Sequence, residues 1–286
     1  MPVPRSAASA TGAPVLGDPG RWPLVMGILN VTPDSFSDGG LYFDCEIAVE
    51  AALRMEADGA AIIDVGGEST RPGSDAVSAE EELRRVIPVI ERIRERSAIP
   101  ISVDTRKAAV ARAALSAGAA MVNDVSAMQY DPDMAAVVRD AGAHVVLMHM
   151  RGDPKTMQKE IRFDDVVREV RDELAARKDW AVAAGIDPDR ILVDPGIGFG
   201  KTFDQNIELL RAVATFGALA PVVVGASRKA FIGHLTGKVA GRPRMAGSLA
   251  AVAAAALGGA AIVRVHDVGE SVDFLRVFST VRRSNG

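Results

Sequence analysis

From Leu24 onward the chain repeats one pattern eight times: a short apolar run, often β-branched, followed by a longer amphipathic run. The short runs are Leu24–Leu29, Ala60–Val65, Ile99–Val103, Ala119–Val122, His144–Met148, Arg190–Val193, Pro221–Val224 and Ala260–Val263. They show little period-two alternation, as expected of strands covered on both faces. The long runs predict helices over Glu46–Asp58, Ala79–Ser97, Lys107–Ala117, Asp133–Ala141, Phe163–Ala184, Phe203–Phe216, Arg244–Leu257 and Ser271–Arg282. Ser78 before Ala79-Glu80-Glu81 has the form of a capping box, and Asp131-Pro132 is read as opening the fourth helix. Gly59, Gly118, Gly142, Gly185 and Gly258 stand where helices should stop.

Eight such units average roughly 32 residues, the size of one strand–helix step. Two four-unit domains would repeat as often, but no Pro- or Ser-rich linker divides the chain. A doubly wound open sheet is the other alternative, and it usually carries G-x-G-x-x-G after its first strand. Here that place holds Asn30-Val31-Thr32-Pro33. The expected fold is therefore α/β, a single (β/α)8 barrel over residues 21–286. Residues 1–20, rich in Ala, Pro, Ser and Gly and without an apolar signal core, are expected to be a disordered tail.

Charge and apolar run length exclude some partners. The net charge is -4 with no basic block, which disfavours nucleic acid, although a local Arg/Lys cluster could still bind a small anion. The Ala-rich run Leu249–Leu257 is too short to span a bilayer, so a cytoplasmic protein with no membrane partner is expected. The single cysteine, Cys45, permits no intrachain disulfide and reads as a buried or incidental thiol.

In such a barrel the active site lies at the C-terminal ends of the strands. Those ends are all polar. They hold Asn30, then Asp64 through Gly73, Asp104-Thr105-Arg106, Asn123-Asp124, His149-Met150-Arg151, Asp194 through Lys201, Ser227-Arg228-Lys229 and Arg264-Val265-His266-Asp267. One such ending means little. Asp104 and Asp194 could be helix caps, Asn30 and Asn123 turn residues, Lys229 and Arg264 surface cations, and Gly196, Gly198 and Gly200 an ordinary turn. His149 reads as a supporting group rather than a catalyst. All eight ends together argue for functional groups around one cavity. Asp104, Asn123 and Asp194 would suit a flat polar heterocycle, Lys229, Arg264 and His266 an anion, and Asn30 a hard cation. The long, Gly- and Ser-containing first two loops are lid candidates.

The runs Met26 through Gly40, Gly66-Gly67-Glu68-Ser69-Thr70-Arg71-Pro72-Gly73, Asn123-Asp124-Val125-Ser126, Asp194 through Lys201, Ser227-Arg228-Lys229 and Arg264-Val265-His266-Asp267 resemble, in order, the motifs of dihydropteroate synthases. The resemblance covers about residues 24 to 282. It implies a folate-biosynthesis transferase that joins 6-hydroxymethyl-7,8-dihydropterin pyrophosphate to p-aminobenzoate, giving 7,8-dihydropteroate and diphosphate. Asp104, Asn123, Asp194 and Lys229 would bind the pterin ring, with Met148, Phe199 and Gly225 lining its slot. Arg264 and His266 would hold the diphosphate, and Asn30 the Mg2+ that accompanies it. Thr70, Arg71, Pro72 and Phe36 would shape the p-aminobenzoate site. Among these, Asp104, Lys229, Arg264 and Arg71 are the implied catalytic residues. The C–O bond would break before the amine attacks, without a covalent enzyme intermediate. The family is a sulfonamide target and pairs as a homodimer through its last helices. One departure stands out: the family often has serine after Ser-Arg-Lys, where this chain has Ala230, which bears on affinity for p-aminobenzoate and for sulfonamides that mimic it. A backbone helix terminus there could still receive the carboxylate. A pterin-dependent methyltransferase of the same fold would have no reason to keep Ser69 through Gly73 or the Asn30, Arg264, His266 set. A non-catalytic pterin-binding protein would be expected to lose Arg264 or His266.

Overall fold

The computed structural model describes residues 22–32, 40–69, 73–153 and 155–282, with side chains in the first helix from Cys45 onward. The expected tail, residues 1–20, lies outside them. The elements follow in order: β1 Leu24–Asn30, α1 Gly40–Ala57, β2 Ile62–Gly66, α2 Ala79–Arg96, β3 Ile101–Asp104, α3 Ala108–Ser116, β4 Met121–Asp124, α4 Met134–Ala141, β5 His144–Met148, α5 Val166–Ala183, β6 Ile191–Asp194, α6 Phe203–Arg211, α7 Val213–Gly217, β7 Val223–Val224, α8 Ala230–Thr236, α9 Met245–Leu257, β8 Ile262–Val265 and α10 Val268–Arg282. All strand pairs are parallel, and β1 lies between β2 and β8. The ring closes between β6 and β7 through one bridge, Val193–Val222, where Val193 N donates to Pro221 O at 3.1 Å. The chain is thus a nearly closed eight-stranded barrel with helices outside it.

Most strands start up to two residues later than the apolar runs suggest. The leading alanines belong to the turns that end the preceding helices. Ala60, Ala119 and Ala260 donate their N–H groups to Met55, Ala114 and Ala255, which satisfies carbonyls the helices leave unpaired. At the other end Asp104, Asn123, Asp124 and Asp194 are inside the strands, despite their polarity. Pro221, which has no N–H to give, precedes the short β7 rather than starting it.

Other expectations shift for local reasons. Ser78 caps α2 by accepting from Glu81 N at 3.1 Å, while the complete reciprocal box is Thr202–Gln205 at the start of α6. Asp131 does not open α4; its carboxylate accepts Ala108 N at 2.8 Å and so steadies the start of α3. At the end of α9 the positive φ falls on Gly259 rather than Gly258. The expected helix over 203–216 is interrupted at Ala212, and α8, only seven residues long, carries no periodic signature to announce it.

Met26, Ile62, Met121, Val146, Leu192, Val223 and Ile262 form one buried cluster, a residue from every strand except β3. This is the floor of the barrel, directly below the polar strand ends. Two larger apolar clusters join the strands to the helices outside. Cys45 is buried, and burial raises its thiol pKa, so it is held as a neutral thiol. Among the described residues no helix is long and apolar enough to cross a membrane.

Candidate active site

Above that floor, Asp104, Asn123, Val125, Met148, Asp194, Phe199, Gly225, Lys229 and Arg264 line one cavity of about 290 Å³, its open mouth included. Eight of the nine are residues the sequence singles out; Val125 is the addition. The strand ladder sets their spacing, with Asp104 opposite Asn123 and Met148 opposite Asp194. Because these four side chains stand on strands rather than loops, packing holds them before any ligand arrives.

The electrostatics centre on Arg264. Its Nε donates to Asp64 Oδ2 at 2.6 Å and its Nη2 to Asp104 Oδ2 at 2.7 Å. Asn123 Nδ2 donates to the same Asp64 oxygen at 3.0 Å. Asp64 is fully buried behind the lining. The sequence reading gives it no role, although a carboxylate inside the apolar run Ile62-Ile63-Asp64-Val65 was a visible signal. Burial lifts the Asp104 pKa to about 7, against the pull of Arg264 and with a further push from Asp64. Asp104 Oδ1 is buried without a partner among the described residues and is an acceptor in need of a donor.

On the opposite wall, Asp194 Oδ1 accepts Gly196 N at 2.7 Å. Burial raises the Asp194 pKa, and Lys229 offsets part of that rise. Lys229 Nζ donates to the Ile197 carbonyl and lies 4.5 Å from the centre of the Phe199 ring. Burial pushes Lys229 down to about 8, while Asp194 holds it up. The cavity therefore offers hydrogen-bond acceptors, a cation and an aromatic face to one ligand.

The β6 loop that carries Phe199 is held from beneath. Gly196 has φ +69, and a Cβ there would overlap the His149 carbonyl oxygen, so only glycine fits. Buried Lys201 donates to the carbonyls of His149, Gly196 and Phe199 at 3.1, 3.1 and 2.9 Å, and its Nζ lies 2.9 Å from His149 Nδ1. Burial lowers Lys201 to about 7. Burial and Lys201 together lower His149 to about 4, so its ring is neutral at pH 7. Glu173, held down to about 2 by its bond to His149, is an anion that can only accept, so the network assigns the ring proton to Nε2, 2.9 Å from Glu173 Oε2. His149 is thus a support for the loop, and Lys201 is a second residue the sequence reading leaves without a role.

At the β8 end, Ser227 Oγ accepts His266 N at 3.2 Å and lies 3.1 Å from His266 Nδ1. Arg228, at φ +59, is gripped by Asp267, with Nε donating to Oδ2 at 3.0 Å. Lys229 thus stands just after a fixed turn, and Ala230, the first residue of α8, is exposed. Asn30 is half-buried at the end of β1, opposite Gly66. Phe36, Thr70, Arg71 and Pro72 lie outside the described residues. Among the described residues no group of three or more His, Cys, Asp or Glu is placed to hold a metal.

Comparison with known proteins points the same way. A family profile described as "Pterin binding enzyme" matches residues 26–266. The dihydropteroate synthase of Synechocystis sp. is 46% identical over 269 residues, covering 94% of this chain and 93% of its own. The dihydropteroate synthase of Xanthomonas albilineans, solved with 4-aminobenzoic acid, superposes with a TM-score of 0.87 at 50% identity, covering 93% of this chain and 95% of that one. Its complex with 7,8-dihydropteroate gives a TM-score of 0.83 at 47% identity, with the same coverage. The Yersinia pestis enzyme in a sulfonamide drug complex gives 0.86 at 43% identity, covering 92% of this chain and 95% of that one.

Proposed function

The chain belongs to the pterin-binding enzyme family, and on that premise we propose that it is a transferase of folate biosynthesis. It condenses 6-hydroxymethyl-7,8-dihydropterin pyrophosphate with p-aminobenzoate to give 7,8-dihydropteroate and diphosphate, the dihydropteroate synthase reaction. The observation that carries this reading is the cavity, where Asp104, Asn123, Asp194 and Lys229 meet around a slot bounded by Met148, Phe199, Gly225 and Arg264.

Asp104, Asn123 and Asp194 accept the N–H donors of the pterin ring, and Met148 and Phe199 pack against it. The bond from the pterin methylene to oxygen breaks first, and the electron pair leaves with diphosphate. Asp104 and Asp194 then supply negative field to the pterin-methyl cation, a preorganised electrostatic effect. The arylamine nitrogen attacks with its own lone pair, and the N–H proton it then sheds passes to the departing diphosphate or to water, so no strong base is needed. Arg264 has five N–H donors, of which Asp64 and Asp104 engage two; we assign the others, with His266, to the diphosphate. The donor chemistry suits Mg2+, which takes few protein ligands when phosphate oxygens supply the others. Asn30 would hold it beside the diphosphate, where it would spread the leaving group's charge. Thr70, Arg71, Pro72 and Phe36 are assigned to p-aminobenzoate, and sulfonamides compete there. We also assign the protein to the cytoplasm as a homodimer through its last helices, which analytical ultracentrifugation checks.

The decisive assay incubates purified protein with both substrates and Mg2+. Dihydropteroate and diphosphate should appear in equal amounts, and neither appearing refutes the reading. Omitting Mg2+ should abolish turnover while leaving binding of the bare pterin intact. Arg71→Ala should lower kcat more than pterin affinity; equal losses would remove Arg71 from the catalytic set.

A further inference from the structure

Asp64 touches both Asn123 and Arg264 yet does not line the cavity. It sits within β2, fully buried, and one of its oxygens, Oδ2, receives both bonds. This geometry constrains Asn123. The two ends of an asparagine amide are nearly equal in shape, so packing alone hardly chooses between them. A carboxylate can only accept. It therefore holds the –NH2 end of Asn123, because the flipped amide would set a carbonyl oxygen against a buried carboxylate oxygen. The same oxygen fixes the Nε edge of Arg264, whose Nη2 then reaches Asp104.

We propose that Asp64 is a positioning residue that sets the hydrogen-bonding sense of the pocket: it turns the Asn123 carbonyl oxygen to the ligand and so selects a ring edge bearing N–H. The proposal rests on reading the cavity as the pterin site. It adds that the reader of the ring is a pair, with one member out of the ligand's reach. A residue that merely stabilised the fold would affect both substrates alike. Asp64 affects the pterin substrate and not p-aminobenzoate, and acts on the ring chiefly through Asn123.

The test uses the full chain and the unreactive ligand 6-hydroxymethylpterin. In calorimetry Asp64→Asn should weaken its binding about 10- to 100-fold, the range for losing hydrogen bonds to a charged group. The KM for p-aminobenzoate should move less than about twofold. In an Asn123→Ala background the Asp64→Asn penalty should be several-fold smaller. An equal penalty in both backgrounds, no penalty, or a matching rise in the p-aminobenzoate KM overturns the proposal. Should Asp64→Asn fail to fold, the unaltered protein with 15N-labelled asparagine gives the answer. One Asn123 Nδ2 proton should exchange slowly without ligand, whereas rapid exchange of both overturns the proposal. That measurement needs no pterin, so an unaltered protein that binds no pterin would refute the functional reading and leave the amide orientation to be judged separately.

Discussion

Two buried charge clusters flank the end of β2, both built from carboxylates and cations but to different ends. On the helix side, Glu68, Glu82, Arg106 and Lys107 form a set of two acids and two bases, all buried. Lys107 bonds both glutamates, and Arg106 Nη2 reaches Glu68 Oε1 at 3.0 Å while its guanidinium covers Tyr130. Burial alone would drag the Lys107 pKa down, yet the two glutamates raise it, so Lys107 holds its charge. Inside the barrel, three carboxylates, Asp64, Asp104 and Asp194, face two cations, Arg264 and Lys229. There burial wins: Asp104 rises to about 7 and Lys229 falls to about 8. The outer cluster is balanced by the protein itself. The inner one is poised for a ligand to complete it, as expected where perturbed titrations mark a functional site.

Removing a cation from the balanced set gives the sharpest break. Lys107→Met leaves buried Glu82 without its cation and Glu68 with Arg106 alone, and should lower unfolding free energy by about 3–5 kcal/mol. Urea denaturation measures this, and pterin affinity of the folded protein should be unchanged. A loss below about 1 kcal/mol would erase the distinction between the clusters.

Asp194→Ala, on the ligand side, should do the reverse. Pterin affinity should fall about 10- to 100-fold with little change in the urea midpoint. Unchanged affinity would take Asp194 out of the pterin site.

The third prediction concerns pH. In the free enzyme Asp104 gains its charge as pH rises through about 7, and Lys229 loses its charge as pH rises through about 8. If the anion and the cation are the active forms, kcat/KM for the pterin substrate climbs through the first value and falls above the second. Asp104→Asn should abolish the rising limb while the falling limb remains. A rising limb that survives assigns it to another group. The smallest effect is expected at Ala230, where Ala230→Ser should lower the KM for p-aminobenzoate by about two- to tenfold, one neutral hydrogen bond's worth. Pterin affinity should not move.

The pattern of the two clusters also explains what could be read beforehand. The barrel was legible because buried parallel strands and amphipathic helices leave different textures. The rim residues were legible because Asp104, Asn123, Asp194 and Arg264 interrupt apolar runs or end them. Strand starts were not, since the alanines at 60, 119 and 260 are apolar whether they begin a strand or close a helix. Asp64 and Lys201 went unassigned because each acts from beneath, and spacing along the chain does not report which side chains meet across a barrel. Lys229 and Lys201 look alike in the sequence, yet one lines the cavity and the other holds three backbone carbonyls.

The apolar floor from Met26 to Ile262 has a consequence for traffic. A well sealed at the bottom has a single door. Whatever occupies its depth must come first and go last, so under the proposed reaction the pterin boards before p-aminobenzoate, and dihydropteroate must back out along the path by which its pterin half entered. Anything seated at the mouth, a sulfonamide included, then bars the exit as well as the entrance.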